Sequence, residues 1–239
     1  MRITLVVALV LMGCVHKTNI DKAVKEGSVL RLDLARVMVE RGAYGAALPL
    51  LQRITAEAPD APDGHVLLGV VLREEGRLDA AAAEFRTVLA SAPRHAAAHA
   101  GLGITYSRLR QHGAAVAEHR RAVELAPKQA EYWNNLGFAL YIKGDATQAI
   151  AAYEHALAID PTFHVAYNNL GFAYGAQRRY DDALQAFTRA VGVARAHMNL
   201  ALVYERAGDT ANAERSRRTA RTLDATVTAQ RNPGPSEDK

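Results

Sequence analysis

Two histidines one helical turn apart, His95 and His99, are spaced so that a pair of imidazoles could share a metal ion, and the chain carries nine histidines in all. A metal or acid–base centre needs more than that. No paired carboxylates, HExxH helix, Ser/His/Asp set or Gly-rich phosphate loop stands near them, so no metal site and no catalytic residue is expected. The only cysteine, Cys14, closes an apolar run from Ile3 to Met12 that follows Arg2. What the histidines do depends on the elements that hold them.

Those elements repeat. The stretch WNNLGFALY at 133–141 returns as YNNLGFAYG at 167–175, displaced by 34 residues. The same step from Gly137 reaches Gly171, Gly103, Gly69 and Ala35, each preceded by Leu. Ala47, Ala81, Ala115, Ala149 and Ala183 form a second column, and Pro59, Pro93, Pro127 and Pro161 a third. A sixth copy arrives after 30 residues, at Leu200-Ala201, and lacks the Pro, so 191–196 is expected to be an unusually tight junction. His65, His99 and His197 fall in the column of Trp133 and Tyr167, and His119 in that of Phe85, Tyr153 and Phe187. These imidazoles are therefore expected to replace packing aromatics.

Within one copy, apolar residues recur every three or four positions in two halves, as in Leu136, Leu140 and Tyr141, then Ile150, Tyr153 and Leu157. Lys143-Gly144-Asp145 separates the halves, with Gly suited to a left-handed cap and Asp to starting the next helix. Pro161 ends the second half. The Gly and Ala columns mark places where two helices approach closely. Arg110 and Arg178 stand where other copies have the turn Gly, and His119 and Arg217 where they have the second-helix aromatic.

The W-x-x-L-G-x-x-Y…A…F/Y…A…P pattern resembles the tetratricopeptide repeat, and it runs from about Ser28 to Arg221. The resemblance implies an all-α chain: an α-α superhelix of six helix-turn-helix repeats at 28–61, 62–95, 96–129, 130–163, 164–193 and 194–221. The last repeat includes a capping helix, whose Arg215, Arg217, Arg218 and Arg221 provide a polar outer face. Residues 222–239 are expected to be the end of that helix and a disordered tail.

The formal charge of +4 and the 6% aromatic content suit close-packed helices with a solvated outer face, and no basic block interleaved with aromatics points to nucleic acid. Residues 1–13 read as a secretory signal, too short to span a bilayer. Leu11-Met12-Gly13-Cys14 resembles the lipobox of bacterial lipoproteins, which implies acylation of Cys14 and a stable membrane anchor. Val15 in place of Asp then favours the outer membrane, facing the periplasm. The tether at 14–27 would keep the repeats within roughly 45 Å of it.

In tetratricopeptide arrays the first helix of each unit lines a binding groove. Carried over by column, that groove comprises Leu32, Val66, Val70, Ile104, Asn134, Asn135, Phe138, Tyr141, Asn168, Asn169, Phe172, Met198 and Leu202. It is mostly apolar. The Lys and Arg that acidic-tail clamps of the family place in the fifth column are absent, and Arg36 is the one in the ninth. An apolar or amphipathic protein segment is the expected ligand, with Phe138 and Phe172 as anchors. The asparagines serve either the partner's backbone or the packing between helices. No cofactor and no small-molecule substrate is expected.

A lipid-anchored periplasmic array of this kind resembles the pilus-biogenesis lipoproteins, including the pilotins that promote secretin assembly in type IV pilus systems. This implies a secretin subunit or another pilus-assembly component as partner. The lipoproteins of tight-adherence pili are similar in their closing NLALV-like segment, here 199–203. An envelope adaptor that recruits peptidoglycan enzymes is the alternative of a different class.

Overall fold

The computed structural model describes residues 27–231; Cys14, the leader, most of the tether and the tail from 232 lie outside the described residues. All regular structure among the described residues is α-helical. Twelve helices follow one another there: α1 (27–40), α2 (Tyr44–Glu57), α3 (Pro62–Glu74), α4 (Leu78–Ser91), α5 (Ala96–Arg108), α6 (His112–Leu125), α7 (Ala130–Lys143), α8 (Ala146–Ile159), α9 (His164–Ala176), α10 (Tyr180–Val191), α11 (Val193–Arg206) and α12 (Thr210–Arg231). The chain divides after Thr105 into two compact units.

In the first unit, α3 and α4 pack through Phe85, which is fully buried. A Cβ added to Gly69 would come within 2.9 Å of its ring, and one on Gly101 within 2.4 Å. Leu51, Leu68, Val71 and Val88 complete this core. In the second unit, α7 packs on α8 and α9 on α10 in the same way. Tyr153 lies over Gly137 and Phe187 over Gly171, where an added Cβ would meet the rings at 2.7 and 2.5 Å. Each glycine thus lets a helix lie flat against an aromatic that is wholly withdrawn from water, a burial worth about 1.5–3 kcal/mol per ring. His119 occupies this aromatic column, as its register requires, and is 1% exposed. Arg217 occupies it in α12 and forms an ion pair with Glu205.

The turns follow their residue chemistry. Gly144 caps α7 in the left-handed region, and the side chain of Asp145 accepts the backbone N–H of Gln148 to start α8. Asp209 does the same for Asn212 at the head of α12. Where Arg110 and Arg178 replace the turn glycine, the backbone keeps the left-handed form, with φ of 60° and 59°. The junction between α10 and α11 is a single residue, Gly192, at φ 80° and ψ 165°, a conformation essentially restricted to glycine. α12 continues as helix ten residues past 221, to Arg231.

Candidate protein-binding groove

The histidines that first suggest chemistry are engaged by the backbone. Trp133 Nε1–H donates to Pro127 O at 2.8 Å, and in the same column His99 Nε2 bonds Pro93 O at 3.0 Å and His65 Nε2 bonds Pro59 O at 2.9 Å. These histidines therefore replace the indole as a donor as well as in packing. His95 Nδ1 accepts the backbone N–H of Ala98, so the pair at 95 and 99 is committed to two separate backbone groups. His65 also bonds Glu84 Oε2 through Nδ1, at 2.6 Å. His197, whose copy lacks the Pro, keeps its Nδ1 buried without a hydrogen-bond partner. Burial alone lowers the pKa of His119 to about 4, which leaves it a neutral packing group.

In the second unit the first helices α7, α9 and α11 are in contact as successive neighbours. They are joined by asparagine pairs. Asn169 Nδ2 donates to Asn134 Oδ1 at 3.0 Å, and Asn199 Nδ2 donates to Asn168 Oδ1 at 2.8 Å. The sixth-column amide of one repeat thus clips the fifth-column amide of the repeat before it. Asn134 is only 7% exposed, while Asn168, Asn169 and Asn135 are half-buried. Each clip uses one donor and one acceptor and leaves part of each amide's capacity free.

The two phenylalanines expected as equal anchors differ. Phe138 is 44% exposed, like Met198 at 44% and Leu202 at 45%. Phe172 is half-buried, and its ring stands edge-on to Phe187 with centroids 4.9 Å apart. It is tied into the core. Ile142, one turn beyond Phe138, adds another exposed apolar side chain. In the first unit Leu32, Val66, Val70 and Ile104 are all half-buried.

A cleft of about 370 Å³ opens beside Phe172, walled by Tyr141, Gly175 and Val203 and edged by Arg178 and Arg206. Helices α9 and α11 meet closely there, since a Cβ on Gly175 would lie 2.5 Å from Val203. Arg206 donates from Nη1 to Tyr141 Oη at 3.3 Å and sits 5.3 Å from the Phe172 ring centroid. The column reading missed this cation. Arg206 ends α11, in the copy whose register is shifted, and it enters from the thirteenth position rather than from the fifth or ninth. The groove is thus less uniformly apolar than its columns suggest.

Nearby, Tyr174 Oη donates to Glu154 Oε1 at 2.9 Å, and Arg179 lies 4.3 Å above the Tyr174 ring. Burial, then the bond to Glu154, pushes the Tyr174 phenol up to about 12, so it stays a donor at neutral pH.

The repeats match four tetratricopeptide-repeat family models, over residues 32–96, 72–136, 139–177 and 164–193. No curated protein matches the chain by sequence. Among solved structures, PilF of Pseudomonas aeruginosa is 20% identical with a TM-score of 0.68, over 83% of this chain and 92% of its own. A thermophilic TPR protein of Thermus thermophilus is 25% identical with a TM-score of 0.62, over 75% of this chain and 98% of its own. MamA of Desulfovibrio magneticus RS-1 is 23% identical with a TM-score of 0.60, over 70% and 95%. With its columns, helix pairs and Gly-on-aromatic contacts all in the repeat register, the chain belongs to the tetratricopeptide-repeat family of protein-interaction scaffolds.

Proposed function

We propose that this protein is an outer-membrane lipoprotein, anchored through Cys14, whose groove holds an apolar or amphipathic segment of a secretin subunit and promotes its assembly in type IV pilus biogenesis. The observation that carries the binding part is the row of exposed apolar side chains Phe138, Met198 and Leu202 on first helices held together by asparagine pairs. Apolar groups kept at the surface of a rigid helical face are available to a partner, and each one a partner covers fully adds about 1.5–3 kcal/mol. The anchoring part rests on the lipobox-like Leu11-Met12-Gly13-Cys14. The fold is like that of PilF of Pseudomonas aeruginosa.

The test is co-purification from membranes of the lipidated wild type beside Cys14→Ala and Phe138→Glu, with mass spectrometry of what accompanies each. The expected result is a secretin or pilus-assembly protein that leaves outer-membrane assemblies in Cys14→Ala and is lost from the complex in Phe138→Glu. Recovery of cell-wall enzymes with secretin multimers unaffected would replace the pilotin reading with the adaptor reading.

A further inference from the structure

Resting on the groove reading above, we infer that the cleft edged by Arg178 and Arg206 takes a carboxylate of the bound protein segment, so that the partner is an apolar stretch carrying an acidic residue. The cleft continues the exposed apolar row by one helical turn. Arg206 follows Leu202 by four residues on α11, Tyr141 follows Phe138 by three on α7, and Gly175 follows Phe172 by three on α9. A segment lying along Phe138, Met198 and Leu202 therefore reaches the two guanidinium groups without turning aside.

Those two charges are not neutralised. Neither Arg178 nor Arg206 has a carboxylate partner among the described residues, and no acidic side chain walls the cleft. Close by in sequence, Arg179 is paired with Asp182 at 2.7 Å and Arg217 with Glu205, whereas these two arginines keep their charge uncompensated. Arg206 spends one N–H on Tyr141 Oη and is set against the face of Phe172, which leaves its other N–H groups open to a planar anion. Phe172 and Val203 give the cleft an apolar floor, where a charge-assisted bond is less weakened by water.

Arg178 also sits in the turn position that Gly144 and Gly208 fill in the adjacent repeats, on a backbone that disfavours any side chain. Arg110 shares that strain outside the cleft, so the strain supports the assignment only together with the cleft.

The test uses the full chain and two fluorescent peptides, one placing a single glutamate between phenylalanines and leucines and the other carrying glutamine instead. Anisotropy titration should show the glutamate peptide binding about ten-fold more tightly, which corresponds to about 1.4 kcal/mol. Arg206→Gln and Arg178→Gly should each remove most of that ratio. Arg178→Gly installs the residue that Gly144 and Gly208 provide in the adjacent repeats, so its melting temperature should rise, which separates lost recognition from lost folding. Equal affinities for the two peptides, both weakened by Phe138→Glu, would overturn the carboxylate assignment and leave the groove reading standing. Failure of both peptides to bind at all would overturn both readings. Equal affinities together with binding to phosphatidylglycerol vesicles that needs both arginines would overturn the assignment in favour of a lipid phosphate.

Discussion

Trp133 and Pro127 are joined by a 2.8 Å hydrogen bond from the indole N–H to the proline carbonyl, and two histidines at the same place in earlier repeats make the same bond. The carbonyl belongs to the chain that leads into each first helix, where no helical N–H reaches it, so the ring both packs the helix entrance and satisfies the carbonyl. His99→Phe keeps an aromatic and deletes the donor. It should lower stability by about 1 kcal/mol, seen as a lower melting temperature, whereas Trp133→His should keep the bond and lose only buried area. Equal melting temperatures for wild type and His99→Phe would show that the bond contributes nothing.

Gly171 tests the close helix approach. A Cβ there would fall 2.5 Å from the Phe187 ring, so Gly171→Ala must push apart α9 and α10. The expected cost is about 1–3 kcal/mol, largely recovered by adding Phe187→Leu. Urea unfolding of the two single variants and the double variant measures the coupling.

His119 makes stability depend on pH in one direction. Its pKa is lowered from 6.5 to about 4 by burial, so the unfolded chain takes up a proton before the folded chain does. The neutral ring's contribution is complete above pH 6.5 and is lost as the pH falls toward 4, by roughly 3 kcal/mol at the extreme. His119→Phe should flatten the melting-temperature profile over that interval. An unchanged slope would place the sensitivity elsewhere.

The asparagine pairs should be energetic units between repeats. Asn168→Ala and Asn199→Ala should each destabilise the second unit by about 1 kcal/mol, and the double variant by less than their sum, because both remove the same 2.8 Å bond. Hydrogen exchange in α11 reads the effect locally, and strict additivity would argue against the clip.

The sequence alone determined the six-copy register, the helix pairs, the cap at Gly144-Asp145 and the tight junction that the structure places at Gly192. These are written in local periodicity and in residue types with fixed backbone preferences, which need no distant partner to act. Columns also marked the close-approach glycines and the second-helix aromatics, because each repeat buries the same positions, while the contact of ring on glycine is seen only in the structure. Tertiary structure decided which groove residues are free. Phe138 and Phe172 share a column, yet only Phe172 meets Phe187 edge-on, while Asn169 reaches back 35 residues to Asn134 and Arg206 reaches 65 to Tyr141. Those relations depend on how one repeat is set against the next, and a column records a residue's place within its repeat but not the neighbour that the stacking brings to it.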